Sequence, residues 1–193
     1  MYEYISGKLV ELTPAYAVVE NNGIGYLIHI SLTTYTKLNG TDSCTLYLHY
    51  VVREDAQLFY GFFTRQEREL FRLLISVSGV GPNTARMMLS STSPDEIQKA
   101  ISSANILVLK GIKGIGQKTA ERIIVDLRDK ISKAGAQDEI LTGTHNTMRD
   151  EALSALLMLG FSRNVTEKVL DKMLAEKAGL TAEELVKHAL KQL

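Results

Sequence analysis

The chain repeats itself once, and that repeat restricts the folds open to it. Gly79 to Leu89 reads "GVGPNTARMML" and Gly114 to Ile124 reads "GIGQKTAERII", 35 positions apart. Gly, an apolar residue, Gly, two variable residues, Thr and Ala recur in register, which points to a duplicated structural unit rather than a chance glycine turn. In each copy an apolar helical segment leads into the glycines and a new helix leaves them. The second copy continues at helical spacing through Ile123, Ile124, Leu127 and Ile131.

The second copy also invites a nucleotide-binding reading. "ILVLKGIKGIGQKTAERII", Ile106 to Ile124, has an apolar run, a glycine-rich turn and a Lys-Thr pair. A Walker A loop needs its Lys directly after the last glycine of G-x-x-x-x-G. Gly111 to Gly116 has that span, but Gln117 intervenes before Lys118 and Thr119, which rotates the lysine off the phosphates. The copy at Gly79 has no Lys-Thr pair at all. A DNA glycosylase is the other enzymatic reading, with Asp138 placed 18 residues after Ala120. Against it, Asp138 falls in a linker-like stretch, the chain has no Trp, and the helical block is too small to enclose a flipped base. The plainest alternative has both glycine turns merely joining packed helices, and duplication weakens it.

With 193 residues, 45% of them hydrophobic, the chain can bury real cores in one ordinary or two to three small domains. No apolar run approaches the roughly 18 residues of a membrane span. The start "MYEYISGKLVEL" lacks a basic n-region and an apolar h-region, so a cytoplasmic, membrane-free location is expected. Cys44 is alone and His29, His49, His145 and His188 lack ligand spacing, so neither metal nor cofactor is expected. Formal net charge is zero but unevenly spread. Residues 1–64 carry three Lys/Arg against six Asp/Glu, 65–133 twelve against seven, and 134–193 seven against nine. Only the middle block suits a polyanion.

Up to residue 63 the pattern is β-rich: "YAVVE", "IGYLIHIS", "CTLYLHYVV" and "QLFYGFF", with turn signals at Asn21-Asn22-Gly23 and Asn39-Gly40-Thr41-Asp42. Four or five short strands fit an OB-like barrel or another small barrel. Residues 64–133 read as all-helical, opened by a capping box at Thr64 to Glu67 and carrying another at Ser93 to Glu96 with Pro94 at its first position. Periodicity fades over 134–146, as in a flexible linker. Residues 147–193 read as three helices: one capped at Thr147 and closed by Gly160, one with Val165, Val169, Leu170 and Met173 that stops near Gly179, and one capped by Thr181 with Glu184.

The glycine pattern resembles the helix-hairpin-helix motif, and its pairing resembles tandem copies. Glycines permit a tight turn at positive φ and remove the Cβ that would hold a phosphate away, while Val80 and Ile115 anchor each turn in the core. Hairpin amides and the next helix N-terminus then offer donors and a positive dipole to DNA phosphates, without reading sequence. The candidate DNA-binding residues are therefore Gly79, Val80, Gly81, Pro82, Asn83 and Thr84 in one copy. In the other they are Gly114, Ile115, Gly116, Gln117, Lys118, Thr119 and Arg122. The first copy, with Asn83 in place of a lysine, should bind less strongly.

"HYVVREDAQLFYGF" at His49 to Phe62, then "RQERELFRLLISVSGVGP" and "GIGQKTAERIIVDLRDK", carry a closer likeness. Over essentially the whole chain the sequence resembles the RuvA family, the Holliday-junction-recognition subunits of the bacterial branch-migration complex. The resemblance implies a non-catalytic homotetramer, or an octamer on DNA, that clasps a four-way junction. It also implies an acidic pin at the crossover, mapping onto Glu54 and Asp55, whose carboxylates repel phosphates and keep separating strands apart. The tail resembles the family's flexibly tethered third domain, which binds the AAA+ motor RuvB and has a faint likeness to ubiquitin-associated modules through "MLGF" at Met158 to Phe161. RuvC resolvase is a further implied partner. Leu156, Leu159 and Leu190 are the candidate motor contacts, with core packing as the other reading. Relatives of this kind often carry a basic residue where this chain has Asn83 and Gln117, which shifts the expected weight to backbone amides, Lys118 and Arg122.

Overall fold

The computed structural model describes residues 2–140, 147–176 and 180–192. The chain divides into two compact units, residues 1–132 and 133–193.

The first unit begins with five strands, β1 (Tyr4–Leu12), β2 (Tyr16–Asn21), β3 (Ile24–Ile30), β4 (Ser43–Val52) and β5 (Gln57–Phe62), closed into a barrel in the order β1-β2-β3-β5-β4. The expected OB-like barrel is therefore present. All pairings are antiparallel except β3 with β5. Alternation puts Ala17, Val19, Ile28, Ile30, Leu46 and Leu48 inside. Asn22 and Gly23, both at positive φ, form the two-residue link between β2 and β3, the geometry a right-twisted hairpin favours. A helix that no sequence signal announced, α1 (Leu32–Leu38), bridges β3 and β4. Its β-branched composition disfavours helix, but Ser31 caps it and Leu38 is anchored in the barrel core.

Five helices follow the barrel: α2 (Arg65–Ile75), α3 (Pro82–Ser91), α4 (Pro94–Ser102), α5 (Ile106–Lys110) and α6 (Gln117–Ile140), which crosses the division at residue 132. The run "ILVLK" is thus helical. Tyr60 and Phe62 of β5 pack on Phe71 of α2, with ring centroids 5.3 and 4.8 Å apart, and belong to the core of the helical block. Barrel and hairpins consequently share a hydrophobic seam. The capping box at Ser93 and Glu96 forms in both directions. At α2 only half forms: the Glu67 amide donates to Thr64 Oγ1, but the Glu67 carboxylate turns inward to Ser31 and Thr34. Residues 134–140, expected as linker, are helical: α6 runs through Ile140 on helix-forming Lys, Ala, Gln and Glu. Residues 141–146 and the stop near Gly179 lie outside the described residues, as does the Asp138 side chain.

The second unit contains α7 (Thr147–Met158), α8 (Arg163–Glu176) and α9 (Ala182–Ala189). Ala152, Leu153, Leu156, Leu170, Met173, Leu180, Leu185 and Ala189 form its core. Gly160 at φ +95° ends α7, with its amide donating to Leu157 and that of Phe161 to Leu156. The Thr181–Glu184 capping box forms as expected. The side chain of Thr147 lies outside the described residues.

Candidate nucleic-acid interface

The two copies of the repeat fold alike down to their hydrogen bonds. In the first, amides of Val77, Val80 and Ala85 donate to the carbonyls of Leu74, Val77 and Gly81 at 3.1, 3.0 and 2.9 Å. In the second, amides of Ile112, Ile115 and Ala120 donate to Leu109, Ile112 and Gly116 at 3.2, 3.1 and 2.9 Å. Every bond has a counterpart displaced by the 35-residue repeat. Val80 and Ile115 are buried and fasten the turns.

The four glycines divide by cause. Gly79 and Gly114 sit at φ +93° and +91°, where a side chain is strained, so the turn itself requires them. Gly81 has an ordinary φ of −84°. An added Cβ at Gly81 or Gly116 would meet nothing within 4 Å, and neither has a positive φ. The fold makes no steric demand for glycine at these inner positions. Both are exposed, so the backbone there is bare of side chain on its outer side.

Donors surround these glycines. Gly81 caps α3 without a side chain and Pro82 has no N–H, which leaves the amides of Asn83 and Thr84 at the helix start. At the second turn Lys118 and Arg122 are exposed and Thr119 is half-buried. Arg122 makes a loose 3.9 Å ion pair with Asp126, a surface contact easily given up. Gln117 donates along the helix to Glu121 and is engaged there. Lys110 and Lys113, also exposed, flank this turn. Sequence reasoning left them out, although the positive balance of the middle block was a signal for them.

The first hairpin is tied to the barrel. Tyr60 Oη donates to Asn83 Oδ1 at 3.2 Å, and the Arg86 guanidinium donates to the Ala15 carbonyl at 2.8 Å. Thr33 donates to the Leu89 carbonyl at 2.7 Å, and the Leu32 amide to Ser90 Oγ at 3.1 Å. Burial pushes the Tyr60 phenol above its ordinary pKa against the opposing pull of Arg86, so it stays a donor. Burial, then Arg86, lowers the neighbouring His29, which favours the neutral imidazole.

Glu54 and Asp55 occupy the tip between β4 and β5, closed by the Arg53 amide donating to the Ala56 carbonyl at 2.8 Å. Both are exposed. The tip rises from a base in which the Tyr50 and Phe59 rings stack at 4.8 Å and Tyr50 bonds Gln57. The hairpin thus presents two exposed carboxylates at its extremity.

In the second unit the candidate contacts separate. Leu156 is fully buried in the three-helix core, so its proposed contact role is corrected: it faces α8 and α9, not a partner. Leu159 and Leu190 are 60% and 44% exposed, and Met158 is 87% exposed. No helix among the described residues is long and apolar enough to cross a membrane.

Three family models match: RuvA N terminal domain over residues 1–61, SAM-like Helix-hairpin-helix tandem over 71–129, and RuvA, C-terminal domain over 147–193. Curated relatives called Holliday junction branch migration complex subunit RuvA cover the whole chain and are themselves wholly covered. The one from Christiangramia forsetii is 48% identical over 193 residues, one from Bacteroides fragilis 48% over 201, and one from Flavobacterium psychrophilum 47% over 193.

Proposed function

The chain belongs to the RuvA family, and on that premise we propose that it binds four-way (Holliday) DNA junctions irrespective of sequence and targets a RuvB motor to them for branch migration. The observation that carries this reading is the pair of glycine turns with matching hydrogen bonds whose inner glycines the fold itself does not need. Two such turns, each presenting helix-start amides, suit the spaced phosphates of a duplex backbone. Lys118, Thr119 and Arg122 add charge-assisted contacts at the second turn. Grip of this kind follows shape and charge, so it is independent of base sequence.

Glu54 and Asp55 act in the opposite sense. Four arms of DNA concentrate negative charge at a crossover, and carboxylates held there repel phosphates and keep exchanging strands apart. The assembly is a homotetramer surrounding the junction, and the chain itself catalyses nothing: the motor hydrolyses ATP, and this subunit supplies the target. The exposed Leu159 and Leu190 of the second unit serve as motor contacts. Work on recombination and repair intermediates in the cytoplasm follows from this role.

Gel-shift affinity for a four-way junction and for a linear duplex of equal length, at one fixed salt concentration, tests the reading. Preference for the junction is expected, with no ATP hydrolysis by the pure protein above background. Equal affinities would refute junction recognition, and turnover abolished by Lys118→Ala would refute the non-catalytic role.

A further inference from the structure

The two turns are alike in backbone but differ in side chains. In the second, Lys118 brings its own charge; in the first, the corresponding residue is the neutral Asn83. A neutral carboxamide helps an anion only when its NH2 is aimed at it, because its carbonyl end repels. On a mobile exposed side chain that orientation carries an entropic cost.

Tyr60 supplies the orientation. Its ring lies in the seam between barrel and hairpins, 5.5 Å from the His29 ring and 5.3 Å from that of Phe71, and it is 1% exposed. Its hydroxyl reaches the first turn, where it donates to Asn83 Oδ1. That bond occupies the carbonyl end of Asn83 and leaves the NH2 to donate, beside the start of α3 and the inner glycine Gly81. Arg86, bound to the Ala15 carbonyl, fixes α3 on the same barrel surface. We propose that Tyr60 is a positioning residue for DNA binding: by holding Asn83 Oδ1 it turns the Asn83 NH2 toward a backbone phosphate and so substitutes for the absent lysine. The barrel thereby tunes the first hairpin's grip. This inference rests on the reading of the hairpins as phosphate sites.

The test uses the full chain with a four-way junction and an equal-length duplex. Tyr60→Phe keeps the ring and removes only the donor, so it should fold as the parent does by circular dichroism and thermal melting. Its junction affinity should fall about three- to ten-fold, the effect of one hydrogen bond. Asn83→Ala, at an exposed position, should lose a similar factor. The double variant should be no weaker than Asn83→Ala alone, since both changes remove one contact. Asn83→Lys in the Tyr60→Phe background should restore parental affinity, because a lysine needs no such aiming. Asn83→Lys should bind equally with and without Tyr60→Phe, whereas a purely structural role for Tyr60 would make Tyr60→Phe weaken the Asn83→Lys chain as it weakens the parent. Parental affinity in Tyr60→Phe, multiplied losses in the double variant, or failure of the lysine rescue would each overturn the inference while junction preference in the parent leaves the wider reading intact. Absence of junction preference in the parent would overturn both.

Discussion

The Ser31 hydroxyl donates to the carboxylate of Glu67 at 2.5 Å, joining the cap of α1 to the first turn of α2 across 36 residues of chain. Thr34 Oγ1 bonds the same carboxylate at 3.0 Å and receives the Phe63 amide at 3.2 Å. Glu67 is wholly buried, so this cluster fastens the barrel to the hairpins at a point where no water competes.

Burial raises the Glu67 pKa above the ordinary carboxylate range, outweighing Ser31, Thr34, Lys37 and the Phe63 amide, all of which favour the charged form. The native state therefore holds this proton longer than the unfolded chain does. Stability from this group is fully present below the unfolded pKa and is lost as pH rises through the folded one. Glu67→Gln should flatten that decline and match or exceed the parent near neutrality, while Glu67→Ala should cost about 2–4 kcal/mol by leaving a cavity and unpaired hydroxyls. Urea unfolding at several pH values between about 4 and 8 measures both.

The outer and inner glycines should respond differently. Gly79→Ala and Gly114→Ala force a Cβ into positive φ and should cost about 1–2 kcal/mol of stability. Gly81→Ala and Gly116→Ala should cost less than about 1 kcal/mol, the difference between the two residues at a helix cap. They should nevertheless weaken junction binding, because the added methyl enters the open space that the proposed phosphate contact needs. Thermal melts paired with gel shifts separate the two classes.

Glu54→Gln combined with Asp55→Asn removes two negative charges from an exposed tip. Junction affinity should be retained or strengthened, while branch migration with the motor should change. Gel shifts and a strand-exchange assay read the two effects, and greatly weakened binding would show that the pair does not act by repulsion.

Within the second unit, Leu156→Ala should cost about 2–5 kcal/mol, as for a buried leucine, and unfold the three-helix core. Leu159→Asp and Leu190→Asp should leave its melting temperature nearly unchanged and weaken capture of the motor in a pull-down. Unchanged capture by both would remove them from the contact surface.

What the sequence disclosed, and what it hid, follows from range. Gly79 and Gly114 were legible because positive φ is a local demand that a glycine announces, and their fixed spacing exposed the duplication. The capping box at Ser93 is local too, and it formed. Glu67 obeyed the same local rule at Thr64, yet its carboxylate found better partners in Ser31 and Thr34, which no nearby residue betrays. α1 was hidden for a related reason: its threonines favour strand, and packing against the barrel overrode them. Leu156 and Leu159 stood alike as candidate motor contacts, and sequence could not say which of them the three-helix core would bury. The tie from Tyr60 to Asn83 joins a strand to a helix 23 residues on, a separation at which sequence pattern is silent.

Amide hydrogen exchange of the full chain with and without a four-way junction tests the central claim most directly, because it watches the proposed donors themselves. Junction binding should protect peptides covering both turns, residues 79–86 and 114–122, while those covering the paired strands β2 and β3 stay unchanged. A junction bound tightly with no added protection at either turn would contradict the account.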